Sequence, residues 1–343
     1  MNSFRIHVYS VSGAVVAQDF SYDGIHGPQY WGKDYQSCVG KHQSPINIEE
    51  HYVRTVTLPP LLFSGFDVPR IATLTNNGHT AVGHVDAFLT GGPLGDDVYT
   101  FEQLHFHWGE NDWEGSEDMI NNQSFAMELH AVFYKSIYRS AAEAQRYPDG
   151  LTVLAYFMAG EEMDPSYEPL VETLPQIEVI GKENIILEDL ILESILMTNR
   201  PSSQNYFTYN GSLTTPPCSE VVTWIDFKQP HILSREQVSR TFIIFTAIAE
   251  GERVTHNFRP VQPLEDRIVY ENIPELSYHN QRYYPEQIYS GQLASRASVP
   301  PLIVSLIIST YLWLDKAHYQ HAPEAPIWKE KDEMRLQVSL YTL

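Results

Sequence analysis

The sequence predicts a mainly β fold built on an antiparallel sheet, and three observations carry that expectation. Short alternating or apolar runs recur at residues 71–74, 81–88, 99–108, 127–134 and 151–158. Turn residues separate them: Asn76-Asn77-Gly78, Gly91-Gly92-Pro93 and Pro148-Asp149-Gly150. Period-two runs punctuated in this way are what hairpin-connected strands require. Helical periods are scarce, confined to 136–145, 167–174 and 234–250, the last opening Ser234-x-x-Gln237 like a capping box. Further strands are expected at 185–192 and 221–227.

With 343 residues, 43% hydrophobic and 19% charged, the chain has the balance of a globular protein with a sizeable core, in one large domain or two ordinary ones. Forty-three acidic against 22 basic residues give a net charge of −21, which opposes contact with phosphate backbones. Nucleic acid is not an expected partner. The two cysteines, Cys38 and Cys218, are far apart and form no C-x-x-C, which excludes a thiolate zinc site or a thioredoxin-like motif. They are either one long-range disulfide, implying an oxidising compartment, or two buried free thiols.

Residues 1–19 carry Arg5 and His7 ahead of a weakly apolar run with Val15 and Ala17 spaced like a cleavage site, a signal peptide or leader. Residues 20–50 are aromatic, Gly- and Pro-rich and irregular. The run Gly27 to Lys33 approaches a phosphate loop, but Asp34 stands where Ser or Thr must hold magnesium, and Pro28 and Trp31 spoil the cradle. Residues 266–298 read as a linker or stalk. Residues 299–314 are free of charge but short of the ~20 apolar residues of a spanning helix. They are a membrane anchor or an amphipathic or buried segment, with a polar tail at 315–343.

The chemistry concentrates in Gln103-Leu104-His105-Phe106-His107-Trp108-Gly109. On a strand, His105 and His107 share one face while Leu104, Phe106 and Trp108 share the other. Two imidazoles converging from one strand suit zinc, which needs a third protein ligand and an open position for catalysis. Glu128-Leu129-His130 offers the third imidazole on a neighbouring strand. Gln103 and Glu128 each precede a ligand by two residues on the same face, placed to accept its second N–H and hold its tautomer. Any one of these pieces alone has a plainer reading as a strand's polar face.

Together with Ser116-Glu117, Phe125-x-x-Glu128-Leu129-His130 and Ser212-Leu213-Thr214-Thr215-Pro216-Pro217, the stretch closely resembles the α-class carbonic anhydrases. The resemblance runs over residues 22–264 in order and takes in Gly27-Pro28, Gln43-Ser44-Pro45, Asn76-Asn77-Gly78-His79, Gly91-Gly92-Pro93 and Asn257-Phe258-Arg259-Pro260. It implies a single catalytic domain at 20–265, with a large, twisted, mostly antiparallel sheet and short peripheral helices. It further implies one Zn2+ on His105, His107 and His130, and reversible hydration of carbon dioxide to bicarbonate and a proton by zinc-bound hydroxide. Thr214 would orient that hydroxide and donate its own hydrogen bond to Glu117, an acceptor when ionised. His79 would shuttle the proton, as suits an imidazole near neutral pH. Tyr22, Asn77 and Thr215 would order the intervening solvent, and Asn257 would support a ligand. Val132, Val153, Leu213, Val222 and Trp224 would wall the carbon dioxide pocket, although each is also an ordinary strand-core residue.

The same resemblance implies a Cys38–Cys218 disulfide and a secreted or plasma-membrane-exposed location. Asn122-Gln123-Ser124 and Asn210-Gly211-Ser212 are glycosylation acceptor triplets. Two departures stand out: Asp118 where the family carries His or Asn, and Val82 in place of a polar pocket residue. Asp118, if buried and ionised, would need a partner. The alternative reading is a non-catalytic carbonic-anhydrase-like binding or adhesion domain, whose relatives lack a zinc histidine that is present here. Esterase side activity would use the same nucleophile. Oligomeric state is not set by any of these features.

Overall fold

Among the described residues, twelve strands form one sheet in which antiparallel neighbours outnumber parallel ones. Its centre runs Tyr99–Trp108, Met127–Lys135, Leu151–Met158, Val222–His231, Tyr206–Gly211. The first three pair antiparallel, whereas Leu151–Met158 and Val222–His231 run parallel. A parallel neighbour requires a crossover, and the short helices Glu168–Thr173 and Leu192–Leu196 lie in that connection. The computed structural model describes residues 3–8, 20–69, 71–76, 87–159, 162–173, 183–185, 191–196, 204–234, 236–238, 248–249, 252–253 and 255–274.

By internal contacts the chain divides into Met1–Pro285 and Glu286–Leu343. All described residues belong to the first unit, so the segments expected at 299–314 and 315–343 lie outside them. Among the described residues no helix is long and apolar enough to cross a membrane.

The expected strands at 99–108 and 151–158 match in full, and those at 127–134 and 221–227 extend by one and four residues at their ends. Other expectations change. Of residues 185–192, Ile185 ends a strand beginning at Glu183 and Leu192 begins a helix. Ser234 and Gln237 do exchange capping bonds, Gln237 N–H to the Ser234 hydroxyl at 3.1 Å and Ser234 N–H to Gln237 Oε1 at 3.2 Å. The expected helix at 234–250 nevertheless does not run its full length, because Ile248–Ala249 pairs with Glu252–Arg253 as a strand. Tyr206–Gly211 was not among the expected strands, although Tyr-Phe-Thr-Tyr is β-prone and Asn210-Gly211 follows it. Tyr270–Asn272 pairs with residues 206–208, so the packed domain continues past 265. Within the segment read as a leader, Ser3–Val8 runs parallel to both Ile71–Asn76 and residues 104–106.

The sheet separates two cores. Leu104, Phe106 and Trp108 enter the larger one with Leu129, Ala131 and Phe133. Val132, Val153, Val222, Trp224 and Tyr209 form the other, with Leu213 packed against it. A third cluster joins Phe20, Tyr22 and Trp31 to the Cys38–Cys218 disulfide, which resolves the two readings of the cysteines.

Candidate metal centre

His105 and His130 stand opposite one another in the antiparallel register, and His107 follows two residues along the same face. The imidazole centroids are 5.0, 5.1 and 4.5 Å apart, and one nitrogen from each ring lies within 4.8 Å of the others. A local irregularity makes this alignment possible. In a regular strand Phe101 and Gln103 would share a face, yet the register shifts between them: Phe101 faces Phe133 and the apolar core, Gln103 faces Val132. The bulge re-aims the strand just before its ligands.

Each imidazole donates one ring N–H to a fixed acceptor, and one nitrogen of each converges on those of the other two. Nδ1–H of His105 donates to Gln103 Oε1 at 3.0 Å, and Nδ1–H of His107 donates to the Asn257 carbonyl at 2.8 Å. For His130 the arrangement is reversed, with Nε2–H donating to Glu128 Oε1 at 2.6 Å. Asn257 is itself zipped to the ligand strand, its Oδ1 accepting from Trp108 N–H and its Nδ2 donating to the Phe106 carbonyl. Burial holds His107 well below the ordinary histidine range, with His130 adding to the effect, and pushes His130 down to about 3. Both rings are therefore neutral near pH 7, the state a metal requires. Three buried histidine nitrogens fit zinc.

The carboxylates come next. Glu128 Oε2 accepts the backbone N–H groups of Glu117 and Asp118 at 2.8 and 2.9 Å. Burial pushes Glu128 up to about 8 against those two donors. Glu117 is raised well above its usual range by burial, while the Arg259 N–H that donates to it and the neighbouring Thr214 hydroxyl pull it down. Its Oε2 lies 3.3 Å from His107 Nε2, so a divalent cation at the imidazoles would favour the ionised form of both acids. Gly115 sets the approach to Glu117: its φ is +150°, and a Cβ there would sit 2.1 Å from the Ala126 carbonyl oxygen. Replacing Glu128 by Gln should weaken metal affinity by ~10–100-fold, the usual range for a ligand's orienting partner. Competition against a chromogenic chelator measures it, and unchanged affinity would remove Glu128 from the site's support.

The Trp224 ring lies 4.9 Å from that of His130, which places one end of the expected pocket wall beside the ligands. Tyr22 sits in the aromatic cluster with Phe20 and Trp31. Thr215 belongs to the Thr214 loop, its carbonyl accepting from Cys218 N–H. Asn77, His79 and Val82 lie outside the described residues. Arg259, quoted in a motif but given no task, is almost fully buried and donates to Gln43 Oε1, the Ser44 carbonyl and the Cys38 carbonyl at 2.9, 2.8 and 3.1 Å. Its own N–H reaches Glu117 Oε1 at 2.8 Å, tying the disulfide segment to the site. The signal available in the sequence was its place in the motif Asn257-Phe258-Arg259-Pro260, whereas its burial is visible only in the fold.

A buried three-histidine cluster on such a sheet could hold a metal ion. Residues 26–273 match the eukaryotic-type carbonic anhydrase family, and the chain belongs to that family. It is 36% identical to human (Homo sapiens) carbonic anhydrase 7 over 261 residues, 73% of this chain and 96% of the relative. Carbonic anhydrase 3 of Rattus norvegicus is 34% identical over 263 residues, 74% of this chain and 98% of the relative. Carbonic anhydrase 12 of Homo sapiens is 32% identical over 308 residues, covering 86% and 83% respectively.

Proposed function

We propose that the chain is an active carbonic anhydrase, catalysing zinc-dependent reversible hydration of carbon dioxide. The observation that carries this reading is the complete, buried His105–His107–His130 set with an acceptor on each outward nitrogen. Zinc held there supplies the Lewis acidity that brings water's ionisation near neutral pH, for which carbonic anhydrase is itself the reference case. Thr214, beside Glu117, donates its hydroxyl proton to that carboxylate, which leaves it only acceptor capacity for a hydroxide proton and so orients the nucleophile. Val132, Val153, Leu213, Val222 and Trp224 hold the substrate on an apolar surface, and His79 exports the proton with Tyr22, Asn77 and Thr215 ordering solvent. The complete ligand set disfavours the binding-only alternative.

Stopped-flow carbon dioxide hydration by the zinc-loaded chain tests the proposal, with bicarbonate formation expected well above buffer. A zinc-loaded protein no faster than buffer would defeat it. In the same assay His79→Ala should slow turnover in dilute buffer and recover with added imidazole; no loss would dismiss His79 as the carrier. The disulfide supports an extracellular location. Peptide mapping of natively isolated protein without reduction should find Cys38 joined to Cys218, and recovery of only free thiols would count against that location.

A further inference from the structure

Behind the ligands lie two carboxyl groups that the proposed chemistry does not use. Asp118 and Asp226 are both fully buried. Asp118 Oδ1 accepts from the Ile46 N–H at 2.7 Å and from the Tyr209 hydroxyl at 3.1 Å. Its Oδ2, and both oxygens of Asp226, meet no hydrogen-bond partner among the described residues. Asp226 shares a sheet row with His130, each paired with Ala155 from opposite sides. Asp118 gives its backbone N–H to Glu128, the acceptor for His130.

An isolated buried carboxylate is strongly disfavoured, and two in one low-dielectric region cannot both ionise cheaply. The charged neighbours offer little relief. Glu128 acts on both aspartates, Asp118 acts on Asp226, and among the described residues the cation that bears on Asp118 is Arg267, behind burial, Glu128 and its two hydrogen-bond donors. Tyr209 is pushed up by burial and by both aspartates, so it stays a phenol and a donor. Glu117, next in the chain, is a further acid facing Asp118.

We propose that Asp118 and Asp226 form a proton-holding pair that keeps at least one carboxyl proton at neutral pH. The pair thereby acts as a positioning device for the Glu117–Asp118 turn, from which Glu117 meets Thr214 and both N–H groups hold Glu128. Losing the proton sets buried negative charge beside Glu128 and loosens that turn. The sign follows from linkage. Unfolded aspartate ionises near pH 4, whereas burial raises both groups well above that value in the fold. Between those limits the folded chain binds more protons, so its stability is highest at acid pH and is lost as pH rises, tenfold in the folding constant per pH unit per retained proton.

Urea unfolding of the zinc-loaded full chain, compared between pH 5.5 and 7.5, tests the pair. Asn preserves the shape of a neutral carboxyl, so D226N should lose about 100-fold less in folding constant over that interval than the parent if one proton is held there throughout. Parallel losses in D226N and D118N and the parent would overturn the proposal. Should the variants fail to fold, carbon-13 NMR of the parent labelled at aspartate carboxyls decides it: a buried aspartate still protonated at pH 7 is expected, and full ionisation of every aspartate would overturn it. Neither readout uses catalysis, so the outcome is separable from whether the chain hydrates carbon dioxide.

Discussion

His107→Ala is expected to give a folded chain that no longer retains stoichiometric zinc and hydrates carbon dioxide no faster than buffer. His107 is fully buried, held by the Asn257 carbonyl on one nitrogen, with its other nitrogen 3.3 Å from Glu117. Alanine removes one of three donors and leaves the carbonyl and the carboxylate behind, so the metal loses coordination and its surroundings lose a partner. The drop in affinity should exceed the ~10–100-fold typical of losing an orienting partner alone. Metal analysis after gel filtration, with stopped-flow hydration alongside, reads both effects. A variant that kept full zinc and full turnover would show that the cluster is not the catalytic centre.

Thr214→Ala should separate orientation from metal binding. Zinc content should stay at the parent level, because Thr214 is no ligand, while kcat/KM for hydration should fall by about 100-fold, the scale of a misdirected nucleophile. The hydroxyl lies beside Glu117, lowering its pKa, and Glu117 is itself fixed by the Arg259 N–H. Thr214→Ser retains the hydroxyl and should recover most of the rate. A loss smaller than threefold in the alanine variant would sink the relay from Thr214 to Glu117.

The chemistry at Gln103, His105, Glu128 and His130 was legible because it is local. A period of two puts each orienting acceptor on its ligand's face, and the structure shows both acceptors bonded as that spacing requires. The alternation Val222, Trp224, Asp226 carried a comparable signal, an acid on an inward face, but its meaning depends on what surrounds it. Only the fold puts Asp118 and Glu128 near Asp226. Asp118 answers the question its position posed: it is buried, hydrogen bonded by Ile46 and Tyr209, and pushed toward the neutral form.

What the sequence by itself determined is the mainly β character, the three imidazoles on two strands, and the family to which the chain belongs. These rest on side-chain chemistry and strand periodicity, both readable within a few residues. The tertiary structure alone decided the shift between Phe101 and Gln103, the Asn257 carbonyl on His107, and Arg259 joining Cys38 to Glu117. Each depends on groups remote in the chain or on backbone atoms common to every residue. Their effect comes from where the sheet brings them and how completely it excludes water.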